Sequence, residues 1–186
     1  DLAYEGKNLE KLVPFYKEMD FKQFLAKLDI TEEPVEMEDI LFEVVEDQLT
    51  NEMFTDDMAL YVEMMEDNYH TSPIVGLAWG NNKKIYTTNN LAVFESQPFI
   101  DWLMDETRKK NVYDAKRTYV ALNRYVGKMT GIAFDVLLAA YLLDTNDNNA
   151  DIEGVAQHYG YDAIQSDEAI YGKGAKKGLP EDEEVF

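Results

Sequence analysis

The sequence has 186 residues, 46% of them hydrophobic, with twelve Tyr, nine Phe and two Trp, which suits one cored globular domain with a short appendage and argues against disorder. Thirty-seven acidic against seventeen basic residues leave a formal charge of −20, so a domain that grips nucleic-acid phosphates unaided is disfavoured and a solvated acidic surface is the simpler reading. Absence of cysteine excludes disulfides and thiolate metal sites and fits a cytoplasmic setting, and the longest apolar run, Val136–Leu143, is far short of the roughly 20 residues that cross a bilayer.

The amino-terminal stretch DLAYEGKNLEK lacks the features of a signal or transit peptide and starts as if in mid-helix, as a piece of a longer chain would. Leu9, Leu12, Val13 and Tyr16, then Phe21, Phe24, Leu25 and Leu28, fall at helical spacing, so residues 1–30 read as a helical segment weakened at Pro14. Residues 31–39 form an acidic linker around Pro34, and residues 40–186 form the main domain. Ile40–Val45 is a strand candidate, and Thr50–Phe54 a short helical or turn segment. Met58–Met65 and Pro73–Gly80 flank a polar turn and predict a hairpin, its first strand apolar enough to be covered on both faces. Asn81-Asn82 suits the positive dihedrals of a tight turn into a third strand, Lys83–Thr88. Gln97–Lys110 reads as a helix with Pro98 near its start and cations at its end, followed by a short strand, Asn111–Ala115, and a helix, Lys116–Tyr125. Asp135 caps Val136–Leu143, a helix apolar enough to be buried all round, and Asp151 opens a helix that stops at Gly160. The tail from Asp167 is polar. Together these elements give an α/β or α+β domain on a mixed sheet.

Motifs of independent chemistry are weak. Asp144–Val155 places oxygen donors at Asp144, Asn146 and Asn148, but Asn149 and Val155 stand where a calcium loop needs Gly and a bidentate Glu. Gly172, Gly174 and Gly178 interleave with Lys173, Lys176 and Lys177, yet no Ser or Thr follows Lys177 as a phosphate cradle requires. His70 and His158 have no spaced metal-binding partner, and no serine stands in a nucleophile-elbow context.

Three further stretches carry a resemblance. Ile74-Val75-Gly76-Leu77, then Gly131-Ile132-Ala133-Phe134-Asp135 with Leu137–Leu143, and the run Asp167–Lys177 occur in the order found in one family. The sequence resembles the 3′–5′ exonuclease domain of bacterial DNA polymerase I, in the form whose exonuclease has degenerated, and Tyr4–Leu28 is similar to the end of the preceding 5′ nuclease region. The resemblance implies a ribonuclease H-like fold: a mixed five-stranded sheet flanked by helices. Active members hold two divalent metals with four carboxylates, as a cleaved phosphodiester requires. Counting back from Val75-Gly76 puts the first two carboxylate positions at Val62 and Met64, and counting back from Gly131 puts the third at Thr118. The fourth belongs to a Tyr-x-x-x-Asp motif that does not occur before Phe186.

The resemblance therefore implies a vestigial domain with no metal or cofactor of its own, Mg²⁺ belonging to the parent polymerase of replication and repair. Its partners would be the adjoining polymerase and 5′ nuclease domains. DNA would be bound through the parent enzyme, weakly or not at all by this domain, and no membrane is involved. Two alternatives stand beside it: an active exonuclease with a site rearranged around Glu63 and Glu66, and an independent acidic interaction protein.

Overall fold

The computed structural model describes residues 40–146, 151–161, 163–174 and 177–179, all within one compact unit. The expected helical segment 1–30 and linker 31–39 lie outside the described residues, as does part of the Asp144–Val155 loop.

A six-stranded mixed sheet forms the centre, in the spatial order β1 (Leu41–Val44), β4 (Lys84–Thr88), β3 (Ile74–Gly80), β2 (Asp57–Met64), β5 (Lys109–Val112) and β6 (Ile132–Asp135). The helices are α1 (Gln97–Met104), α2 (Ala115–Asn123), α3 (Val136–Leu143), α4 (Ile152–His158) and α5 (Asp167–Tyr171), with 3₁₀ turns at Asn51–Met53 and Leu91–Glu95. The hairpin forms as the pattern predicts: β2 runs antiparallel to β3, with Leu60 opposite Trp79 and Val62 opposite Leu77. β3 pairs antiparallel with β4, while β1 joins β4, β5 joins β2 and β6 joins β5 in parallel. The sheet has one strand more than the resemblance implies. The sixth, Ile132–Asp135, is four residues long with three of them exposed, too short and too open to show a strand period.

β2 is central but covered on one face only. Met58, Leu60, Val62 and Met64 are buried, whereas Ala59, Tyr61 and Glu63 between them are not, so an apolar run expected to be dry on both sides proves to alternate. The dry face packs on an aromatic cluster. Phe54 stacks on Trp79 with centroids 5.4 Å apart and lies 5.3 Å from Trp102, and the indoles donate to the Met53 and Thr55 carbonyls at 3.1 Å each. Phe99, Trp102 and Leu103 of α1 and Ala121 and Leu122 of α2 complete this core, side chains the size of Leu or Phe contributing about 1.5–3 kcal/mol each.

Three local expectations change. Asn81-Asn82 turns without positive dihedrals: Asn81 accepts from the Lys83 and Lys84 amides through its own side chain at 2.9 and 3.1 Å, which closes the turn. Gly80 before it is required, because a β-carbon there would press into the Lys84 carbonyl. α1 stops at Met104 rather than reaching Lys110, since Asp105 accepts from the Thr107 amide and hydroxyl at 2.8 and 2.7 Å and Lys109–Val112 is drawn into the sheet. Lys110 is then buried, its ammonium donating to the Asp105 and Arg108 carbonyls at 2.7 and 2.8 Å, and burial pulls its pKa down to about 8. α3, expected to be buried all round, buries no residue: Leu138, Tyr141, Leu142 and Leu143 are all exposed within this domain.

Candidate functional site

The open face of β2 ends in a cleft of about 510 Å³ whose walls come from β2, the turn after it, α2, α4 and α5. Glu66, Asp67, Asp114, Asp151, Glu153, Asp167 and Glu168 line it, with Arg117 as the one cationic side chain among the lining residues. The floor is the strand itself. A shallower groove of about 660 Å³ runs beside it over Ala59, Ala78 and Gly80, small residues that leave this face of the sheet bare.

Glu63 and, at the other end of the strand, Asp57 are the carboxylates that β2 presents on its open face, Glu63 at the end near the cleft. The α5 phenol of Tyr171 donates to Glu63 Oε1 at 2.8 Å, spanning 108 residues of sequence. Tyr171 is buried and sits at the end of a helix capped by Ser166, whose side chain accepts from the Ala169 amide. Burial pushes the Glu63 carboxyl above its ordinary value, with the Tyr171 hydrogen bond opposing. The Tyr171 phenol is raised as well, by burial first and then by the bond to Glu63. Tyr61, two residues earlier on the same face, is pushed up to about 12 by burial and by the Glu63 charge. Arg117 of α2 lies over the Tyr61 ring, 5.5 Å from its centroid, and donates to the Val62 carbonyl at 2.8 Å. Its backbone amide donates to Asp114, the left-handed residue that caps α2.

Of the residues singled out by counting, Met64 alone borders the cleft, and all three are buried. Val62 and Met64 are 0% and 1% exposed and belong to the aromatic core; Thr118 is 1% exposed, its hydroxyl donating to the Tyr113 carbonyl at 3.3 Å. A count carried across the 65–73 connection is uncertain by one residue, and a shift of one exchanges the two faces of a strand. The pleat is also interrupted between Glu63 and Met64, where the register with β3 shifts. The i and i+2 pair on the open face of β2 next to the cleft is therefore Tyr61 and Glu63, of which Tyr61 lines it. The signal was present in the alternation of β2, but Tyr171 and Arg117, remote in sequence, left none. Asp135 is a cap, as its place before α3 predicts. It accepts from the Leu137 and Leu138 amides and also from Asp114 and Ala115 at the start of α2, so one carboxylate ties two helices together. Glu66 lies exposed in the turn, its amide bonded to the Ser72 hydroxyl at 3.0 Å.

The model of the DNA polymerase I, ribonuclease H-like domain family matches residues 60–186. The chain belongs to this family. DNA polymerase I of Geobacillus stearothermophilus is 40% identical over 98% of the chain, and that of Streptococcus pneumoniae 38% identical over all of it, the matched part being 21% of each relative. The chain thus spans about a fifth of the length of these relatives. Among solved structures, Brucella melitensis NrnC is similar with a TM-score of 0.56 at 15% identity, over 77% of this chain and 66% of its own. Escherichia coli RNase D, an exoribonuclease, is similar at 0.50 and 13% identity, over 73% and 35%. At these identities the likeness is one of fold, and it agrees with the mixed sheet and flanking helices described above. Membership of the polymerase I family replaces the reading of an independent acidic protein.

The two-metal chemistry of active 3′–5′ exonuclease domains does not fit the residues here. Among the described residues no three His, Cys, Asp or Glu side chains gather to hold a cation. On the open face of β2 the Tyr61 phenol stands two residues from Glu63, whose Oε1 accepts from Tyr171, and the Thr118 hydroxyl donates to the Tyr113 carbonyl. The carboxylates of the rim spread along the walls, where without cations they repel a phosphate chain.

Proposed function

We propose that this domain is a vestigial proofreading module of a DNA polymerase I, which keeps the ribonuclease H-like scaffold as a structural part between the 5′ nuclease and polymerase regions and hydrolyses no DNA. The observation that carries the reading is the Tyr171–Glu63 hydrogen bond over Tyr61. A productive site needs at this floor two ionised carboxylates open to metal and substrate; here one is replaced by a phenol and the other is stoppered by a buried helix end. Polymerisation with Mg²⁺, in replication and repair, belongs to the parent chain, through which DNA is met. Incubation of the full-length polymerase with 3′-labelled single-stranded DNA and Mg²⁺ or Mn²⁺, without nucleotides, tests the reading. No shortening is expected, and chelator-sensitive loss of 3′ nucleotides would sink it.

A second reading is supported by the survival of Glu63 on the cleft side: a weak exonuclease that recruits Glu63 with a rim carboxylate such as Glu66. Calorimetry with Mn²⁺ separates the two. Binding that Glu63→Gln abolishes supports the weak exonuclease; heat that is absent or indifferent to the substitution supports the vestigial module.

A further inference from the structure

The helix end that meets Glu63 belongs to a segment with one buried anchor. Of residues 163–174, Tyr171 alone is buried, and the rest of α5 is exposed or half-buried. On either side stand Gly160 and Gly174, with φ of 86° and 61° and no atom within 4 Å of where a β-carbon would lie. Space does not call for glycine at either place, so backbone freedom is what these positions supply. The segment is a short strap between two glycine hinges, fastened to β2 by the Tyr171 phenol at 2.8 Å from Glu63 Oε1.

Charge works against the fastening. Asp167 and Glu168 of α5 line the same cleft as Glu66 and Asp67 from the turn after β2, Asp114 from α2, and Asp151 and Glu153 from α4. Opposing charge is sparse: Arg117 lines the cleft, Lys173 on the strap pairs with Glu168 at 3.1 Å, and Lys177 follows the second hinge. The Asp167 charge also reaches Glu63, the acceptor of the fastening bond, and disfavours its ionised form, which accepts more strongly than the neutral one. Like charges repel over a range set by salt, about 30 Å at 0.01 M ionic strength and about 8 Å at 0.15 M. Screening therefore favours the closed strap, and low salt favours an open one that carries Asp167 and Glu168 into solvent.

We infer that α5 is a salt-sensitive strap beside the acidic cleft, latched by Tyr171 on Glu63 and released as ionic strength falls. Release uncovers Glu63, so access to this end of β2 is set by the ionic medium rather than by a fixed plug. The strap belongs to the site on which the vestigial reading rests, but the inference does not need that reading. Nuclease activity in the full-length polymerase would overturn the vestigial module and leave the strap standing.

Amide exchange in the full-length protein, with a chelator and without DNA, tests it. Exchange across residues 163–174, taken relative to Ile74–Gly80 in the same sample, is expected to be about tenfold faster at about 0.01 M than at about 0.5 M monovalent salt. Tyr171→Phe removes the latch donor and should speed exchange of the strap about fivefold or more at both concentrations. Asp167→Asn, at an exposed position, should reduce the salt response by about half or more. Strap exchange indifferent to salt, an equal response in Ile74–Gly80, a Tyr171→Phe variant that exchanges as the parent does, or an Asp167→Asn variant with the full salt response each overturns the inference.

Discussion

The two faces of β2 are built from alternate residues of one eight-residue run, and they share almost nothing. On one side Met58, Leu60, Val62 and Met64 are sealed against Trp79, Trp102 and Phe99; on the other Tyr61 and Glu63 meet a phenol, a guanidinium and an acidic cleft. The difference teaches that the strand's packing and the chemistry of its open face are separable. The first face can keep the scaffold while the second varies, because alternate side chains point to opposite sides of the strand, although Met64 borders the cleft and Arg117 reaches the Val62 carbonyl.

Substitution can break or sharpen that contrast. The largest effect is expected from Val62→Asp, which buries an unpaired carboxylate in the aromatic core: a loss on the order of 4–5 kcal/mol or failure to fold, read from the denaturant midpoint. Tyr61→Asp, one residue away on the open face, should cost far less, and equal losses would abolish the distinction. Next comes Met64→Ala, a buried truncation expected to cost about 2–5 kcal/mol, measured in the same way. Tyr171→Phe removes the donor to Glu63 without changing the volume of the ring, and a loss of about 1–3 kcal/mol is expected from the stranded acceptor, with no gain of nuclease activity. Smallest is Glu63→Gln, whose effect is one of pH. Because burial holds the folded-state pKa of Glu63 above 4.5, both states are protonated in more acid solution and no penalty applies. As pH rises through the raised value the folded state must ionise a half-buried group, and stability falls relative to the unfolded chain. The Gln variant, which keeps the acceptor for Tyr171, should therefore match the parent below pH 4.5 and exceed it at neutral pH; melting curves across that range decide.

What could be read from the sequence was what local pattern controls. The β2–β3 hairpin, β4 and the Asp135 cap follow from apolar runs, turn residues and a helix start, each written within a few neighbours. The lost boundaries have tertiary causes. Helical periodicity runs on through Arg108–Lys110, but pairing with Asp57–Leu60 takes those residues into β5. The hydrophobicity of Val136–Leu143 pointed to a helix buried all round, but composition does not say against what, and this domain buries none of its residues. The family resemblance located the strand of the candidate site, and a count could not choose its face. The contacts that Tyr171 and Arg117 make with β2 beside the cleft join residues 108 and 55 positions apart, beyond any pattern within a single element.

The strand order carries a consequence for synthesis. β2, β3 and β4 form a meander whose partners leave the ribosome within seconds of one another, whereas the other edge of β2 is covered by β5, about fifty residues later. At roughly 5–20 residues per second, that edge stays unpaired for about 3–10 s, an open template for another nascent chain. The charges of Asp57 and Glu63, at the two ends of the strand, guard it through that interval.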